Sequence, residues 1–341
     1  MENILIFILV IFVATLVHEA GHFVFARIFG VGVYEFSVGF GPRIFKSKYK
    51  ETDLSVRILP LGGFVRIAGL DEGEVPPGTK RFDQIRSFQK ILVIVAGPVM
   101  NIIMAAVLFT LVFTQGVYVP DLRIQSVNSD FPAAKAGIQV GDRIVSVNGI
   151  SIKTPNDLIR IVSESKGEKL DLTLLRDGKD INISLYPEFD QKDNRYLIGI
   201  MFDRTMKKYS VVDSVYMGFT QTLSWGIALV VSIWMLISGQ VPVGSLAGPI
   251  GIANMLGQAA NEGPTALLFF VGFLSLNLGI LNLLPIPALD GSRILFLIIE
   301  MIRGKPIDPK KENFIHVAGF VFLILLMIFV SYFDVLRLFK K

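Results

Sequence analysis

An apolar run from Ile4 to Ala26 carries three ionisable residues in its second half, within the pentapeptide His18-Glu19-Ala20-Gly21-His22. A helix of about 23 residues is about 34 Å long at about 1.5 Å per residue, which is enough to cross a bilayer. Ionisable side chains in such a helix are costly and usually have a function. The run therefore predicts a membrane-spanning helix that holds polar chemistry inside the membrane.

The spacing within the pentapeptide is typical of a metal site. In a helix His18 and His22 lie one turn apart on one face, so both imidazoles can reach one ion, while Glu19 points to an adjacent face. A catalytic zinc site keeps three protein ligands and one position for water, whose proton a nearby carboxylate can take. The pattern predicts a zinc hydrolase with Glu19 as base. Two satisfied core histidines beside a buried glutamate are the alternative.

The composition is that of an integral membrane protein with one polar insert, because 52% of the 341 residues are hydrophobic and only 18% are charged. No cysteine is present, which excludes disulfides, thiol nucleophiles and zinc sites built on cysteine. The net charge of +4 comes from basic residues beside apolar segments. The positive-inside rule explains them, so we expect no nucleic acid partner, and it places the region after the first apolar run in the cytoplasm.

A third metal ligand is needed, and Asp290 is the only acid between Glu262 and Glu300. It follows Pro285 and Pro287, which remove backbone donors and break a helix. A broken helix at membrane depth is tolerated only where it lines a cavity or is buried in protein. Asp290 is therefore the candidate ligand. Capping of the restarted helix is an alternative role that can coexist with ligation.

The region between the first two apolar runs is expected to form short strands punctuated by glycine and proline. The last two strands suggest a hairpin around Pro60-Leu61-Gly62-Gly63, whose apolar edge could pair with an extended substrate, and an ordinary cytosolic cap sheet is the alternative. The expected strands are Val33–Phe40, Arg43–Lys50, Leu54–Leu59 and Phe64–Leu70.

The second apolar run, Ile91–Phe113, carries Gly97, Pro98 and Asn101 near its cytoplasmic end. An asparagine at membrane depth usually bonds another helix or a functional group. Both interpretations of Asn101 stay open, and helix packing is the simpler one.

Residues 117–205 are polar and alternating, and they resemble a PDZ domain. The likeness rests on the stretch Ser129–Ile138, on Gly141-Asp142-Arg143-Ile144 and on Val147-Asn148-Gly149. A late Tyr196-Leu197-Ile198-Gly199-Ile200 resembles the carboxylate-binding loop, placed last as in circularly permuted bacterial versions. In PDZ domains a peptide C-terminus adds a strand beside that loop. The resemblance implies a groove at Leu197, Ile198, Gly199 and Ile200, and a spacer with a closed groove is the alternative.

These motifs, with the segment Asn282-Leu283-Leu284-Pro285-Ile286-Pro287-Ala288-Leu289-Asp290-Gly291, together resemble the site-2 protease family of intramembrane zinc metalloproteases in its bacterial envelope-stress form. The resemblance implies Zn²⁺ held by His18, His22 and Asp290, with Glu19 as the catalytic base. The hairpin resembles the family's membrane-reentrant β-loop. The implied substrate-binding residues are Asn282, Gly62, Gly63, Phe64, Val65 and Asn101. Two departures are Ser292, where many members have a second glycine, and room for only one PDZ domain.

By this resemblance we expect an endopeptidase that cleaves the transmembrane segments of single-span proteins, such as anti-sigma factors or signal-peptide remnants. We expect it in the bacterial cytoplasmic (inner) membrane, in contact with lipid, with the active site towards the cytoplasmic side and the PDZ domain outside. Two other classes stay open. One is a catalytically inactive PDZ protein that holds membrane clients, and the other is a metal transporter that uses the same ligands.

The expected fold is a polytopic α-helical membrane protein with four transmembrane helices, a cytoplasmic-side reentrant β-hairpin and an extracytoplasmic α+β PDZ domain. Segment 217–238 is assigned to one or two amphipathic helices on the outer surface, because a crossing there would put later basic residues outside and Asp290 towards the wrong leaflet. The expected transmembrane helices are 1–30, 91–115, 265–301 and 313–334, separated by the β-region 31–90, the PDZ domain 117–205 and the surface helices 215–262.

Overall fold

The computed structural model describes residues 2–70, 73, 75–191, 194–305 and 307–339. Its residues form two compact units, which are Met1–Gln115 with Tyr209–Lys341, and Gly116–Lys208. The predicted ranges 1–30, 31–90 and 117–205 therefore include one, three and two positions outside the described residues.

The helices are α1 (Glu2–Ile28), α2 (Ser87–Gln115), α3 (Pro132–Lys135), α4 (Pro155–Glu164), α5 (Val211–Ile237), α6 (Pro249–Glu262), α7 (Pro264–Leu283), α8 (Asp290–Arg303) and α9 (Pro309–Phe339). Short 3₁₀ turns cover Phe82–Gln84 and Val243–Ser245. The strands are β1 (Val33–Tyr49), β2 (Thr52–Ile67), β3 (Val117–Val127), β4 (Arg143–Val147), β5 (Ile150–Ser151), β6 (Leu170–Arg176), β7 (Lys179–Leu185), β8 (Glu188–Asp190), β9 (Arg195–Leu197) and β10 (Ile200–Lys207).

Glycines set the distances between the helices of the first unit. A Cβ atom on Gly21 of α1 would lie 2.4 Å from the carbonyl oxygen of Ala96 in α2. A Cβ atom on Gly279 of α7 would lie 2.8 Å from the carbonyl oxygen of Pro98, also in α2. Apolar helices without a hydrophobic driving force between them associate through such close backbone approaches at small residues. The backbone of α2 is thus in direct contact with both α1 and α7.

The region between α1 and α2 forms one long hairpin of two strands, β1 and β2. Its pairing register divides into the segments 33–40, 43–49, 52–59 and 63–67, close to the four predicted strands, but the predicted turn is wrong. β1 and β2 turn at Lys50, which has φ 53°, and not around residues 60–63. The register places both Leu54 and Val65 opposite Phe36, so β2 passes the first half of β1 twice. Gly62, with φ +100°, lies between these two passes. A glycine in this conformation bends a strand without ending it, which explains why the sequence suggested a turn there.

α5 covers the segment that was expected to lie on the outer surface. Segment 217–238, assigned above to amphipathic surface helices, belongs to one continuous helix of 27 residues. It is one of five described helices that are long and apolar enough to cross a membrane, by length and composition, so the count of four is not confirmed. Gly218 permits its contact with α2, since a Cβ there would lie 2.3 Å from Thr110 Oγ1. Farther along, Trp225 packs edge-on against Phe109 of α2.

The third predicted transmembrane helix, 265–301, is two helices. α7 ends at Leu283, and α8 begins at Asp290. Ala288 in the connection has φ +75°, a left-handed conformation that costs energy for any residue except glycine. Two prolines within this connection remove the donors that a continuous helix would need.

The second unit is a sheet with two helices. Its strand order is β10-β3-β4-β6-β7, β5 pairs with β4, and β8 and β9 form a separate small pair. Thr154 begins α4 as an N-cap that accepts from the backbone of Asp157, whose carboxylate bonds back to Thr154. Apolar side chains from the sheet and both helices form one core cluster.

A buried ion pair holds the loop before β4 in this unit. Asp142 is 1% exposed, and its carboxylate accepts from Arg176 at 2.7 Å and from the backbone of Gln139 at 2.8 Å. The Arg176 guanidinium lowers the pKa of Asp142 below its ordinary value. The pair therefore stabilises the unit above the ordinary aspartate pKa, and that contribution is lost as the pH falls through the lowered pKa.

Asp142→Asn removes the charge but keeps the shape of the side chain. Because charge-assisted hydrogen bonds are lost, we expect hydrogen exchange in the core strands of Gly116–Lys208 to become about tenfold faster or more in the full chain at neutral pH. The matched control is Asp121→Asn, whose partner Arg143 is exposed and 3.9 Å away, and which should change exchange little. Equal protection in all three proteins would contradict the role of Asp142. Below the lowered pKa, wild type and Asp142→Asn should converge.

Candidate active site

Two histidines of α1 meet the first residue of α8. The distance from Asp290 Oδ2 is 3.0 Å to His18 Nε2 and 3.3 Å to His22 Nε2, and the two Nε2 atoms are 3.2 Å apart. Both histidines are 9% exposed. The helical i, i+4 spacing brings the imidazoles together, and the break before α8 brings the carboxylate to them. The three residues form the one group of three potential metal ligands found among the described residues.

The hydrogen bonds around the imidazoles decide which nitrogen is protonated. His22 Nδ1 lies 2.9 Å from the carbonyl oxygen of Val93, which can only accept, so the proton is on Nδ1. His18 Nδ1 lies 3.4 Å from the side-chain amide of Asn101, whose buried Oδ1 has no partner in the described part of the chain. The chemistry assigns this amide oxygen, and not the nitrogen, to His18 Nδ1–H. Both Nε2 atoms then present lone pairs to Asp290.

Three converging acceptors fit a bound cation. Without one, two imidazole lone pairs and a carboxylate oxygen would repel one another at these distances. Four tetrahedral ligands about 2.0–2.1 Å from zinc lie about 3.3 Å from one another, close to the spacings found here. Val93 and Asn101 supply the outer contacts that metal-binding histidines usually make. His18, His22 and Asp290 therefore fit Zn²⁺ as three protein ligands with one position left for water.

Close backbone packing also places the imidazoles. A Cβ atom on Gly97 of α2 would lie 2.3 Å from His22 Nε2 and 2.9 Å from His18 Nε2. Pro98, the next residue, has no backbone N–H and crowds the carbonyl of Ile94, four residues earlier in α2. The neighbouring carbonyl, that of Val93, accepts the hydrogen bond from His22. The Gly-Pro pair thus allows the rings to lie directly against the α2 backbone.

Glu19 lies between the triad and the hairpin. It is half-buried and lines two cavities of about 450 and 260 Å³. A Cβ atom on Gly63 would lie 3.3 Å from Glu19 Cγ and 2.8 Å from the carbonyl oxygen of Ser37. Because Gly63 has no side chain, the β2 backbone lies beside Glu19. Both cavities share His18, Glu19, Gly63 and Asp290, so they meet at the triad.

The predicted substrate-binding residues divide between the two cavities. Phe64 and Val65 line the larger one, and Gly62, Asn101 and Asn282 line the smaller one. The Phe64 ring stacks on Phe40 and lies under the Arg57 guanidinium, 5.1 Å from its centre. Asn282 is near the end of α7 and makes no hydrogen bond among the described residues. Its amide is therefore free to bind a main chain.

The predicted peptide groove belongs to the second unit. Leu197 ends β9, and Ile200 begins β10. Ile198 is 4% exposed and packs in the core of the unit, and Gly199 has φ +84°. The carbonyls of Ile198 and Gly199 accept from the backbones of Ala133 and Asn128. The loop is thus well ordered by its own unit, and its role in binding a peptide stays a prediction.

Sequence reasoning missed two cationic or donor side chains, Arg293 and His316, that line the larger cavity. A signal for Arg293 was present, because it follows Asp290 by three residues and so shares its helix face. His316 is the third and last histidine of the chain, but it lies on α9 and nothing near it in sequence suggests a site.

Comparisons with known proteins match one protease family over most of the chain. The model of peptidase family M50 matches residues 6–326. The regulator of sigma-W protease RasP of Bacillus subtilis is 32% identical, over 99% of this chain and 99% of that protein. The zinc metalloprotease RasP of Bacillus licheniformis is 32% identical, over 99% of this chain and 100% of that protein. A candidate zinc metalloprotease of Clostridium acetobutylicum is 38% identical, over 98% of this chain and 97% of that protein.

The solved structures that match include PDZ domains. The PDZ domain of an SdrC-like protein from Listeria monocytogenes is 23% identical, covers 25% of this chain and 90% of that chain, and has a TM-score of 0.22. The corresponding domain from Listeria innocua is 28% identical, covers 24% of this chain and 92% of that chain, and has the same TM-score of 0.22.

Gly97→Ala tests whether the α2 backbone places the imidazoles. We expect the purified variant to lose most of its bound zinc, because the added methyl group occupies space taken by His22 Nε2. The matched control is Gly226→Ala in α5, where the nearest atom to an added Cβ would be 3.4 Å away, an ordinary contact. Zinc content per chain, measured by elemental analysis, gives the answer. Full zinc occupancy in Gly97→Ala would contradict the packing argument.

Proposed function

The chain belongs to peptidase family M50, and we propose that it is a zinc endopeptidase that hydrolyses a peptide bond within a membrane-spanning segment of its substrate. One observation supports this proposal most strongly. Two imidazole nitrogens and a carboxylate oxygen converge beside a free glutamate, among helices apolar enough to cross a membrane. A hydrolytic centre at that depth has access to peptide bonds that soluble proteases cannot reach.

The side chains divide the work of hydrolysis. His18, His22 and Asp290 would hold zinc, which supplies a Lewis acid for the scissile carbonyl and acidifies water. Glu19 takes the proton of the attacking water and delivers it to the amine nitrogen as the C–N bond breaks. The Val93 carbonyl holds His22 in the tautomer that leaves Nε2 free for the metal.

Asn101 has the corresponding role for His18. Its amide oxygen holds the His18 ring in the tautomer with Nε2 unprotonated, as Val93 does for His22. Asn101 also lines the smaller cavity, so contact with substrate, the role assigned from the sequence, is compatible with this one.

The substrate must be extended at the scissile bond. A helix hides its carbonyls in intrahelical hydrogen bonds, so a helical substrate has to unwind first. Gly63–Val65 pair with β1 on one side, and no further strand pairs with them in the described part of the chain. A substrate strand added there would pass Glu19 and enter both cavities. Asn282 would bind the main chain of that strand from the other side.

The substrate class follows from the relatives by analogy. One relative is named a regulator of sigma-W protease, which associates this family with transcriptional control. We propose that single-span membrane proteins, such as anti-sigma factors or signal-peptide remnants, are the substrates here. We also propose a bacterial inner-membrane location in contact with lipid, an active site towards the cytoplasmic side and an extracytoplasmic PDZ-like unit that selects or excludes substrates. The basic residues after α1 support this orientation.

Glu19→Gln separates catalysis from metal binding. We expect the variant to keep its zinc and to lose cleavage of a tagged single-span substrate that lacks its outer domain, because the amide cannot accept the proton of water. Asp290→Ala should lose both zinc and cleavage. Cleavage is followed on gels, and zinc is measured on the same samples. Turnover by Glu19→Gln would contradict the role of Glu19. Zinc in the wild type with no cleavage of any membrane segment would favour the inactive client-binding protein.

Asn282→Leu tests the proposed contact with the substrate main chain. The shape is nearly kept while the hydrogen bonds are lost, so we expect kcat/KM to fall about tenfold with zinc content unchanged. Asn277→Leu is the matched control, because the Asn277 amide bonds the Phe273 carbonyl of its own helix. An equal fall in both variants would show that substituting α7, and not losing a substrate contact, causes the defect.

A further inference from the structure

Arg293 is an unpaired cation in the active-site cavity. It lies one turn after Asp290 on α8, it is half-buried, and it lines the cavity of about 450 Å³. No carboxylate among the described residues lies within 4.0 Å of its guanidinium. An arginine stays charged under all ordinary conditions, and a partly buried charge without a partner is costly. Such a residue is typical of a place where a ligand supplies the partner.

His316 presents a second donor to the same cavity. The backbone N–H of Ala288 donates to His316 Nδ1 at 3.2 Å, so in the neutral ring the proton is on Nε2. That Nε2 atom is buried and has no hydrogen-bond partner among the described residues. The nearest acid, Glu312, has its oxygen at 3.8 Å, which is too far for a hydrogen bond.

The two donors face the same stretch of α8. Asp290, Arg293 and Phe296 follow one another at intervals of three residues and so share a helix face. His316 contacts both ends of this stretch, because it bonds Ala288 before it and packs edge-on against Phe296, with ring centres 5.7 Å apart. Arg293 lies between those contacts. A group bound at Arg293 is therefore also near His316 and within one helical turn of the metal ligand.

The acceptors already in the cavity do not satisfy these donors. Asp290 Oδ2 faces the two imidazoles, and Glu19 is the proposed base. The Glu312 carboxylate is close enough for a charge interaction with both donors, but it lies 3.8 Å from His316 Nε2 and beyond 4.0 Å from the Arg293 guanidinium, so it hydrogen-bonds neither. A guanidinium offers two parallel N–H groups that match the two oxygens of a carboxylate, and a neutral imidazole N–H adds a third donor. The ligand that would satisfy both donors is therefore a carboxylate.

We propose that Arg293 and His316 form a carboxylate-binding subsite beside the metal ligands, an inference that rests on the proposed protease function. Two sources supply a carboxylate in a peptide substrate. One is an aspartate or glutamate side chain near the scissile bond. The other is the new C-terminus, since hydrolysis adds the hydroxyl of water to the carbonyl carbon, breaks the C–N bond and leaves a carboxylate and an amine. The subsite either selects acidic segments or retains the N-terminal product.

The first arm of the test measures selection during cleavage. Tagged single-span substrates differ only in Glu or Gln, placed two, three or four residues from the scissile bond on either side. If the ligand is a side chain, wild type should cleave the Glu form about tenfold faster in kcat/KM at one of these positions, as expected for one charge-assisted interaction. Arg293→Gln should lose that preference and keep its zinc. His316→Asn, which keeps an acceptor for Ala288 but loses the Nε2 donor, should lose part of it.

The second arm needs no turnover. Peptides that match the N-terminal product, with a free carboxylate or a C-terminal amide, are titrated against the purified full chain. If the ligand is the product, the free acid should bind wild type about tenfold more tightly than the amide, and Arg293→Gln should bind both alike. Arg303→Gln, on the exposed end of the same helix, is the matched control and should behave like wild type in both arms.

The two arms separate the inference from the proposed function. A preference for acid in either arm that disappears with Arg293 supports the subsite. Equal handling of acid and amide by wild type in both arms overturns it, as does a preference that survives in Arg293→Gln. Absence of cleavage with all substrates counts against the proposed protease, and the binding arm still decides the subsite.

Discussion

Two imidazole nitrogens and one carboxylate oxygen face one another at 3.0–3.3 Å among apolar helices, and the rest of the site depends on this convergence. With both rings protonated on Nδ1, all three atoms carry lone pairs, so the arrangement calls for a positive charge between them, which a metal ion supplies. Each part of the surroundings serves to hold it. α1 supplies both imidazoles, the break before α8 supplies Asp290, and α2 supplies the carbonyl and amide that set the tautomers.

Close contacts with the backbone of α2, more than side-chain packing, hold the triad in place. Gly21 and Gly97 bring α1 against α2 at the level of the triad, and Gly279 brings α7 against the same stretch. The histidine motif and the Gly-Pro motif are therefore one structural unit, although about 70 residues separate them. A similar device operates elsewhere in this unit, where the buried Asp334 of α9 accepts from the backbones of Gly248 and Gly251 at the start of α6. The negative charge of a carboxylate is stabilised beside the N-terminus of a helix, where the helix dipole is positive.

The three proposed metal ligands could be predicted from the sequence, but other residues of the cavity could not. His18 and His22 were predictable because helical spacing alone brings them together, and Asp290 because it is the one acid in a broken apolar segment. The hairpin was misplaced because Gly62 bends β2 where glycine usually signals a turn. The contact of α5 with α2 was not predicted, because an argument from loop charges cannot detect the small-residue contact at Gly218. The position of Arg293 and His316 in the cavity beside the triad depends on what surrounds them in space, which no spacing in the sequence reveals.

If His18, His22 and Asp290 form a metal site, the chain binds one zinc ion through two imidazoles and a carboxylate. The X-ray absorption spectrum at the zinc edge of the purified, zinc-loaded chain reports these ligands. We expect one zinc per chain, with two imidazole nitrogens and oxygen donors at about 2.0–2.1 Å, in a four-coordinate site. A spectrum with fewer than two imidazoles, or a chain that fails to retain zinc, would contradict the account.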